Sequence, residues 1–226
     1  MLESKLIITD PRVEDYVSDI AELAGEPTIP AALLNTLEVI EETALRMNYP
    51  IAGRYVGRTL SVFSCLTNAT RIFDAGDSLG YAAAWLALGA GKDAQITSTC
   101  NTEESMVRSR GFHQRAELSS SFEYLVGRAS ETLSRREGPF DLIYSDVAKG
   151  DYPRMAQMAV QRLRPGGVYI ADSCLWYGKV CSGTTTRDAW TASVDQHNQW
   201  VFAQKDVFST VIDQREGLLI AVKKRV

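Results

Sequence analysis

Two apolar segments of this chain each run out into a carboxylate: Phe140-Asp-Leu-Ile-Tyr-Ser-Asp146 and Gly167-Val-Tyr-Ile-Ala-Asp172. Three residues past the first acid stands an amine, Lys149. Segments of this kind read as buried strands of an open α/β sheet. In such sheets ligands bind just beyond the carboxyl ends of the strands, so both acids and the amine would face one crevice. Two carboxylates can hold a hard divalent cation such as Mg²⁺, with water filling its remaining positions. A lysine can serve there as a general base once burial or a nearby cation has favoured its neutral form.

The rest of the chain supplies the frame for that crevice. With 226 residues and 45% hydrophobic content, it can bury one sizeable core, which suggests a single domain over 1–226. Ala31 to Met47 carries apolar residues at helical spacing, started by Pro30 and stopped at Asn48-Tyr-Pro50. A second helix is expected over Arg54 to Leu66, and residues 1–53 form an N-terminal helical section. From residue 70 strands and helices alternate: strands at 70–74, 94–100 and 122–126, then the two acid-ended ones. Helices are expected at 81–88, 102–115 (with Thr102 as cap), 130–136, 152–163 and 187–204. Pro165-Gly-Gly167 reads as a turn into the fifth strand. Val207 to Asp213 and Gly217 to Val222, joined through Gln214-Arg-Glu216, read as a closing hairpin. The pattern predicts an α/β fold with a doubly wound, mainly parallel seven-stranded sheet and an antiparallel C-terminal hairpin.

Charge and cysteine usage narrow the function classes. The net charge is −4 with acids and bases interspersed, which gives no support for nucleic-acid or membrane binding. Lys223-Lys-Arg225, the basic cluster near the end, reads as a solvated tail. Cys65, Cys100, Cys174 and Cys181 form no C-x-x-C pair, and His113 and His197 lie far from them in sequence. A zinc site or disulfide framework is unsupported, and a cytoplasmic, reducing setting is the simplest expectation. No apolar run reaches the roughly 20 residues that cross a bilayer.

Asp74-Ala-Gly76-Asp-Ser78-Leu-Gly80-Tyr81 joins the first strand to a helix. Its glycines would let the backbone approach a ligand, and the helix start offers free N–H groups. The spacing G-x-x-x-G fails the G-x-G-x-x-G dinucleotide fingerprint and the P-loop. A carboxylate before the first glycine repels phosphate and attracts the cationic amino group of S-adenosylmethionine.

With these residues in view, 48–226 resembles the class I S-adenosylmethionine-dependent O-methyltransferases of the catechol and caffeoyl-CoA type, a Rossmann-like fold. Residues 74–81 are similar to that family's E-x-G-x-x-x-G-Y loop and Gly127-Arg-Ala129-Ser-Glu-Thr-Leu133 to its G-D-A-x-x-x-L segment. Asp146-Val-Ala-Lys149-Gly-Asp-Tyr152 resembles D-A-D-K-x-x-Y. Asp172-Ser-Cys-Leu-Trp176-Tyr-Gly178-Lys-Val180 resembles D-N-x-L-W-x-G-x-V, and Gly217-Leu-Leu-Ile-Ala the closing strand.

The resemblance implies transfer of a methyl group to an oxygen acceptor. Lys149 would be the base and Asp146 its catalytic partner. Asp74, Gly76, Ser78, Gly80, Asn101, Ala129 and Asp146 would line the cofactor, and Asp146 and Asp172 would hold a divalent metal. It further implies a small hydroxylated acceptor, a tRNA nucleoside being open as well, a homodimer, and a covering role for residues 1–53. Three positions depart from the pattern. Cys100 stands where the family has a ribose-binding acid, Arg128 replaces an acid beside the adenine, and Ser173 replaces a metal-ligating asparagine. These losses also admit a second reading, a family member that binds a ligand or partner without catalysis. Trp85 is expected in the core; Trp176 and Tyr177 suit either a substrate wall or ordinary packing. Neither histidine looks catalytic, and His113 is expected at a polar helix end.

Overall fold

The structure, a computed structural model, describes residues 11–23, 26–76, 79–181 and 188–225. Helix α1 (Pro11–Leu23) and helix α2 (Ala31–Met47) open the chain, followed by α3 (Gly53–Leu66). The alternating part then runs β1 (Arg71–Ala75), α4 (Tyr81–Ala90), β2 (Gln95–Cys100), α5 (Glu103–Arg115), β3 (Ser121–Val126), α6 (Ala129–Ser134) and β4 (Phe140–Ser145). It closes with α7 (Tyr152–Arg162), β5 (Leu163–Ala171), α8 (Ala189–Phe202), β6 (Val207–Ile212) and β7 (Leu218–Lys223). Apart from α1, for which no bounds were expected, and the start of β5, each element falls within about two residues of its expected bounds, since the underlying apolar periods are strong. Thr102 caps α5 as expected, accepting from the Ser105 N–H.

The seven strands form one sheet in the order β3-β2-β1-β4-β5-β7-β6. The first five are parallel, and β7 runs antiparallel to both β5 and β6. Helices cover both faces, so the inner strands are apolar on both sides and successive residues alternate between two cores. Ile72, Leu142, Tyr144, Val168, Ile170, Leu218 and Ile220 face the α2–α3–α4 side. Phe73, Ile143, Tyr169, Ala171, Leu219 and Ala221 face α6, α7 and α8.

One expected turn is instead strand. Pro165-Gly-Gly167 lies inside β5, and the pairing register with β4 shifts between Phe140 and Leu142. A bulge there absorbs the proline, which has no N–H to donate to the ladder. Gly167 is held to glycine by crowding: a Cβ would lie 2.9 Å from the carbonyl oxygens of Arg164 and Phe140.

Helices α3 and α4 pack almost backbone to backbone. A Cβ on Gly57 would lie 2.4 Å from the Trp85 indole, and one on Gly89 would lie 2.0 Å from the Ser61 carbonyl oxygen. Trp85 is buried in the core, as its helical spacing predicted.

Candidate active site

Strand order reverses at β1, whose two neighbours β2 and β4 continue in opposite directions through the sheet. A crevice opens at such a switch point, beyond the carboxyl ends of the strands. The pairing Ala75↔Ser145 and Ser145↔Ala171 brings three strand ends level. One residue further, the Asp146 N–H donates to Ala75 and the Asp172 N–H to Ser145, both at 2.9 Å. The two acids are thus fixed side by side by the sheet's own ladder.

Lys149 begins a short 3-10 turn, Lys149–Asp151, ahead of α7. Its side chain is only 11% exposed and its Nζ lies 3.5 Å from Asp146 Oδ1. The amine also donates to the Tyr152 hydroxyl, which in turn donates to the Asp172 carbonyl at 2.7 Å. Tyr152 is fully buried, so the lysine is tethered at a fixed place by a rigid neighbour. Trp176 closes the other side, its ring centre 5.2 Å from Nζ.

Asp172 is buried, and both of its oxygens already accept hydrogen bonds, from Tyr144 at 3.0 Å and from the Ser173 N–H at 2.6 Å. Desolvation, followed by the neighbouring charge of Asp146, pushes its carboxyl up to about 6. Burial above all, with the charges of these two acids, also holds the Tyr144 and Tyr152 phenols neutral. A carboxylate pair that resists double ionisation is one that a cation would stabilise. The donors are hard oxygens throughout, Asp146, Asp172 and the Ser173 hydroxyl. Among the described residues no cluster of three His, Cys, Asp or Glu gathers. Two carboxylates with water can satisfy a small divalent cation, and binding one here would need Asp172 to exchange its present hydrogen bonds for the ion.

A cavity of about 510 Å³ spans the crevice. Gly76, Thr99, Asn101, Arg128 and Ala129 line it together with Asp146, Lys149 and Ser173. Tyr49, Pro50, Trp176, Tyr177 and Trp190 form another part of the wall. The sheet therefore brings Gly76, Asn101, Ala129, Asp146 and Lys149 to one space. It does not bring Asp74, Gly80 or Asp172 to the cavity surface. Asp74 is buried behind Gly76 and accepts from the Ser98 hydroxyl at 2.8 Å. Ser78 lies outside the described residues. Cys100 is buried, which leaves the exposed Asn101 as the group at the wall where the family pattern has its acid.

Gly80 sits one step back from the cavity, at the start of α4 with φ 78°. Its carbonyl accepts from Ala84 and from His113 Nε2 at 2.8 Å, while His113 Nδ1 meets the Tyr124 hydroxyl at 2.7 Å. Since a carbonyl only accepts, Nε2 carries the proton and the Tyr124 hydroxyl donates to Nδ1. A Cβ on residue 80 would lie 2.5 Å from that imidazole, so the glycine and the histidine require each other. The polar helix end expected for His113 is corrected here: it is 4% exposed, stacked on Phe122 at 4.2 Å, and desolvation lowers it to about 4.

Next to Gly80, the Tyr81 hydroxyl donates to Glu41 at 2.6 Å. Arg54 grips the same carboxylate with two bonds of 2.9 Å, which raises its own pKa. The N-terminal helices are thereby tied to the loop that enters α4.

Comparison with known proteins identifies the family. Residues 32–224 match the model of the O-methyltransferase family. The chain belongs to that family. A catechol O-methyltransferase from Niastella koreensis is 27% identical over 222 residues, covering 94% of this chain and 96% of its own. One from Mycobacterium tuberculosis is 28% identical, covering 81% of each chain. Among solved structures, the O-methyltransferase of Bacillus cereus in complex with SAH superposes with a TM-score of 0.78. It is 24% identical, over 91% of this chain and 97% of that one, which is a likeness of fold.

Against this O-methyltransferase background, several wall residues carried no sequence signal of their own. Tyr49 and Pro50 had read only as a helix stop, and Trp190 only as part of a late helix. Trp190 meets Trp176 edge-on with ring centres 6.2 Å apart, a contact across 14 residues of chain that no local pattern encodes.

Proposed function

We propose that this chain transfers the methyl group of S-adenosylmethionine to a hydroxyl oxygen of a small acceptor. One observation carries the reading. A single cavity joins the glycine crevice at the switch point to a lysine tethered between an acid and a tyrosine. Membership of the O-methyltransferase family and the names of the relatives support it.

In this reading Gly76 and Thr99 would hold the methionine part, Asn101 would offer its amide to the ribose hydroxyls, and Ala129 would serve the adenine. Asp74 shapes the loop from behind and adds negative potential toward the cationic donor. The acceptor lies between Lys149 and the aromatic wall of Trp176, Tyr177 and Trp190. Lys149 is the group placed to take the hydroxyl proton, at Nζ, as the oxygen attacks the methyl carbon. When bound, S-adenosylmethionine would supply the methyl group, its carbon–sulfur bond giving way to the new carbon–oxygen bond with the electron pair kept on sulfur as S-adenosylhomocysteine. Asp146 and Tyr152 hold the amine in line and the walls exclude water, so much of the acceleration comes from positioning. Asp146 and Asp172, with the Ser173 hydroxyl, would hold a divalent cation, which would acidify the acceptor hydroxyl.

The test is calorimetric titration with S-adenosylmethionine and with S-adenosylhomocysteine. Dissociation constants in the micromolar range are expected. No measurable heat with either compound overturns the proposal and favours the non-catalytic alternative that the loss of an acid at Cys100 suggests.

A further inference from the structure

The turn between β6 and β7 contributes no residue to the cavity wall, yet it is bonded to two stretches of chain that do. On one side it seats the segment after β5. The Glu216 carbonyl accepts from Leu175 at 2.8 Å and the Gly217 carbonyl from Cys174 at 3.0 Å. The Glu216 carboxylate accepts from the Tyr177 N–H at 2.6 Å. These three bonds hold a stretch with an uncommon backbone: Trp176, Tyr177 and Gly178 all have positive φ, at 47°, 55° and 71°. For two bulky aromatics in a row this is strained backbone, and it persists only where the surroundings impose it.

On the other side the same turn anchors the link from α2 to α3. Arg215 donates to the Ala52 carbonyl and, at 3.3 Å, to that of Ile51. Its guanidinium fills the space where a Cβ on Gly53 would stand, 2.4 Å away. Gln214 accepts from Thr59 at 2.9 Å. Tyr49 and Pro50, just ahead of that anchor, line the cavity with Trp176 and Tyr177.

We propose that Glu216 and Arg215 are positioning residues that fix the aromatic turn Trp176–Tyr177 relative to Tyr49–Pro50, and so set which acceptor the site takes. The inference rests on reading this cavity as the methyl-transfer site. Neither residue touches the acceptor; each holds a wall of its pocket. Their effect should fall on the acceptor and spare the cofactor, whose wall at Gly76 follows β1 and at Thr99 and Ala129 belongs to β2 and α6. A wall displaced by about 1 Å can cost on the order of a hundredfold in rate.

Two measurements on the full chain decide it. The first needs no turnover: fluorine NMR of protein labelled with 5-fluorotryptophan, which gives one line for each of Trp85, Trp176, Trp190 and Trp200, assigned by Trp→Phe variants. Glu216→Ala should shift or broaden the Trp176 line, with Trp190 following, and leave Trp85 and Trp200 in place. An unmoved Trp176 line overturns the proposal, and so does an equal change in all four. The second is steady-state kinetics with catechol as probe acceptor. Glu216→Ala and Arg215→Met should raise the KM for catechol about tenfold and change that for S-adenosylmethionine less than twofold. Glu216→Gln, which keeps an oxygen for the Tyr177 N–H, should restore wild-type values. Equal changes in both KM values overturn the assignment. Wild-type protein that leaves catechol unmethylated counts against the proposed acceptor, and the fluorine lines still decide the role of the turn.

Discussion

Replacing His113 with glutamine should remove a large part of this protein's sensitivity to acid. The imidazole is buried, donates from Nε2 to Gly80 and accepts at Nδ1, so it folds as the neutral ring. Desolvation drops it from 6.5 to about 4. Above pH 6.5 the ring is neutral in both folded and unfolded chains and stability does not vary with it. Between 6.5 and 4 the unfolded chain binds a proton that the folded one refuses, and stability falls as pH falls. At about 1.4 kcal/mol per pH unit the loss is about 3 kcal/mol. His197, bonded to Tyr169 at 3.1 Å and Asn198 at 2.8 Å, also falls to about 4 and should lose a similar amount. Asp172 works in the opposite direction, since its carboxyl is raised to about 6 and its protonation below that pH favours the folded state. In metal-free protein it offsets about one histidine. The net loss of about 3 kcal/mol is still a large part of the 5–15 kcal/mol that typically holds a domain. Urea unfolding of wild type and His113→Gln, in chelator, from pH 7.5 to 4 isolates the term. The gap between the two curves should close by about 3 kcal/mol toward acid, because glutamine keeps the donor to Gly80 without the titration. Parallel curves would refute the reasoning.

Further outcomes follow from the same geometry. Lys149→Met should lower kcat by about 10²–10⁴, the usual worth of a positioned base, and leave the dissociation constant for S-adenosylhomocysteine unchanged by calorimetry. Gly89→Ala should destabilise the protein by more than about 3 kcal/mol in urea unfolding, since its Cβ meets a backbone oxygen at 2.0 Å that cannot turn away. If Asp146 and Asp172 bind Mg²⁺, a metal-dependent heat will appear on titration into the wild type and disappear in Asp172→Asn.

What could be read from the chain alone, and what could not, divides by distance along it. The acids after β4 and β5, the glycine loop after β1 and Lys149 three residues past Asp146 are local features, and the parallel sheet converts them into neighbours automatically. Helix α2 was readable to the residue because its apolar period ends at a proline-bearing stop. His113 was not, because its partner Gly80 is 33 residues away and nothing in Arg-Gly-Phe-His-Gln-Arg marks it as buried. The contact from Arg215 to Ala52 crosses 163 residues and involves only a backbone carbonyl on the far side, so no residue type signals it. The Pro165-Gly-Gly167 bulge misled for a related reason: a turn and a bulged strand start use the same residues, and only pairing with β4 tells them apart.

The near-contact of α3 with α4 bears on how this protein could be shortened or rebuilt. Leu33, Leu37 and Ile40 of α2 share one core with Val56 and Leu60 of α3 and with Trp85 of α4. Glu41 reaches from α2 to the residue that follows Gly80. The leading helices therefore cannot be exchanged as a unit, as a lid on a finished barrel of machinery could be. A chain begun at residue 53 would leave one face of the sheet wet and the glycine loop without its outer brace. New acceptor preferences are more cheaply sought where the wall hangs from a few hydrogen bonds than where it is continuous with the interior.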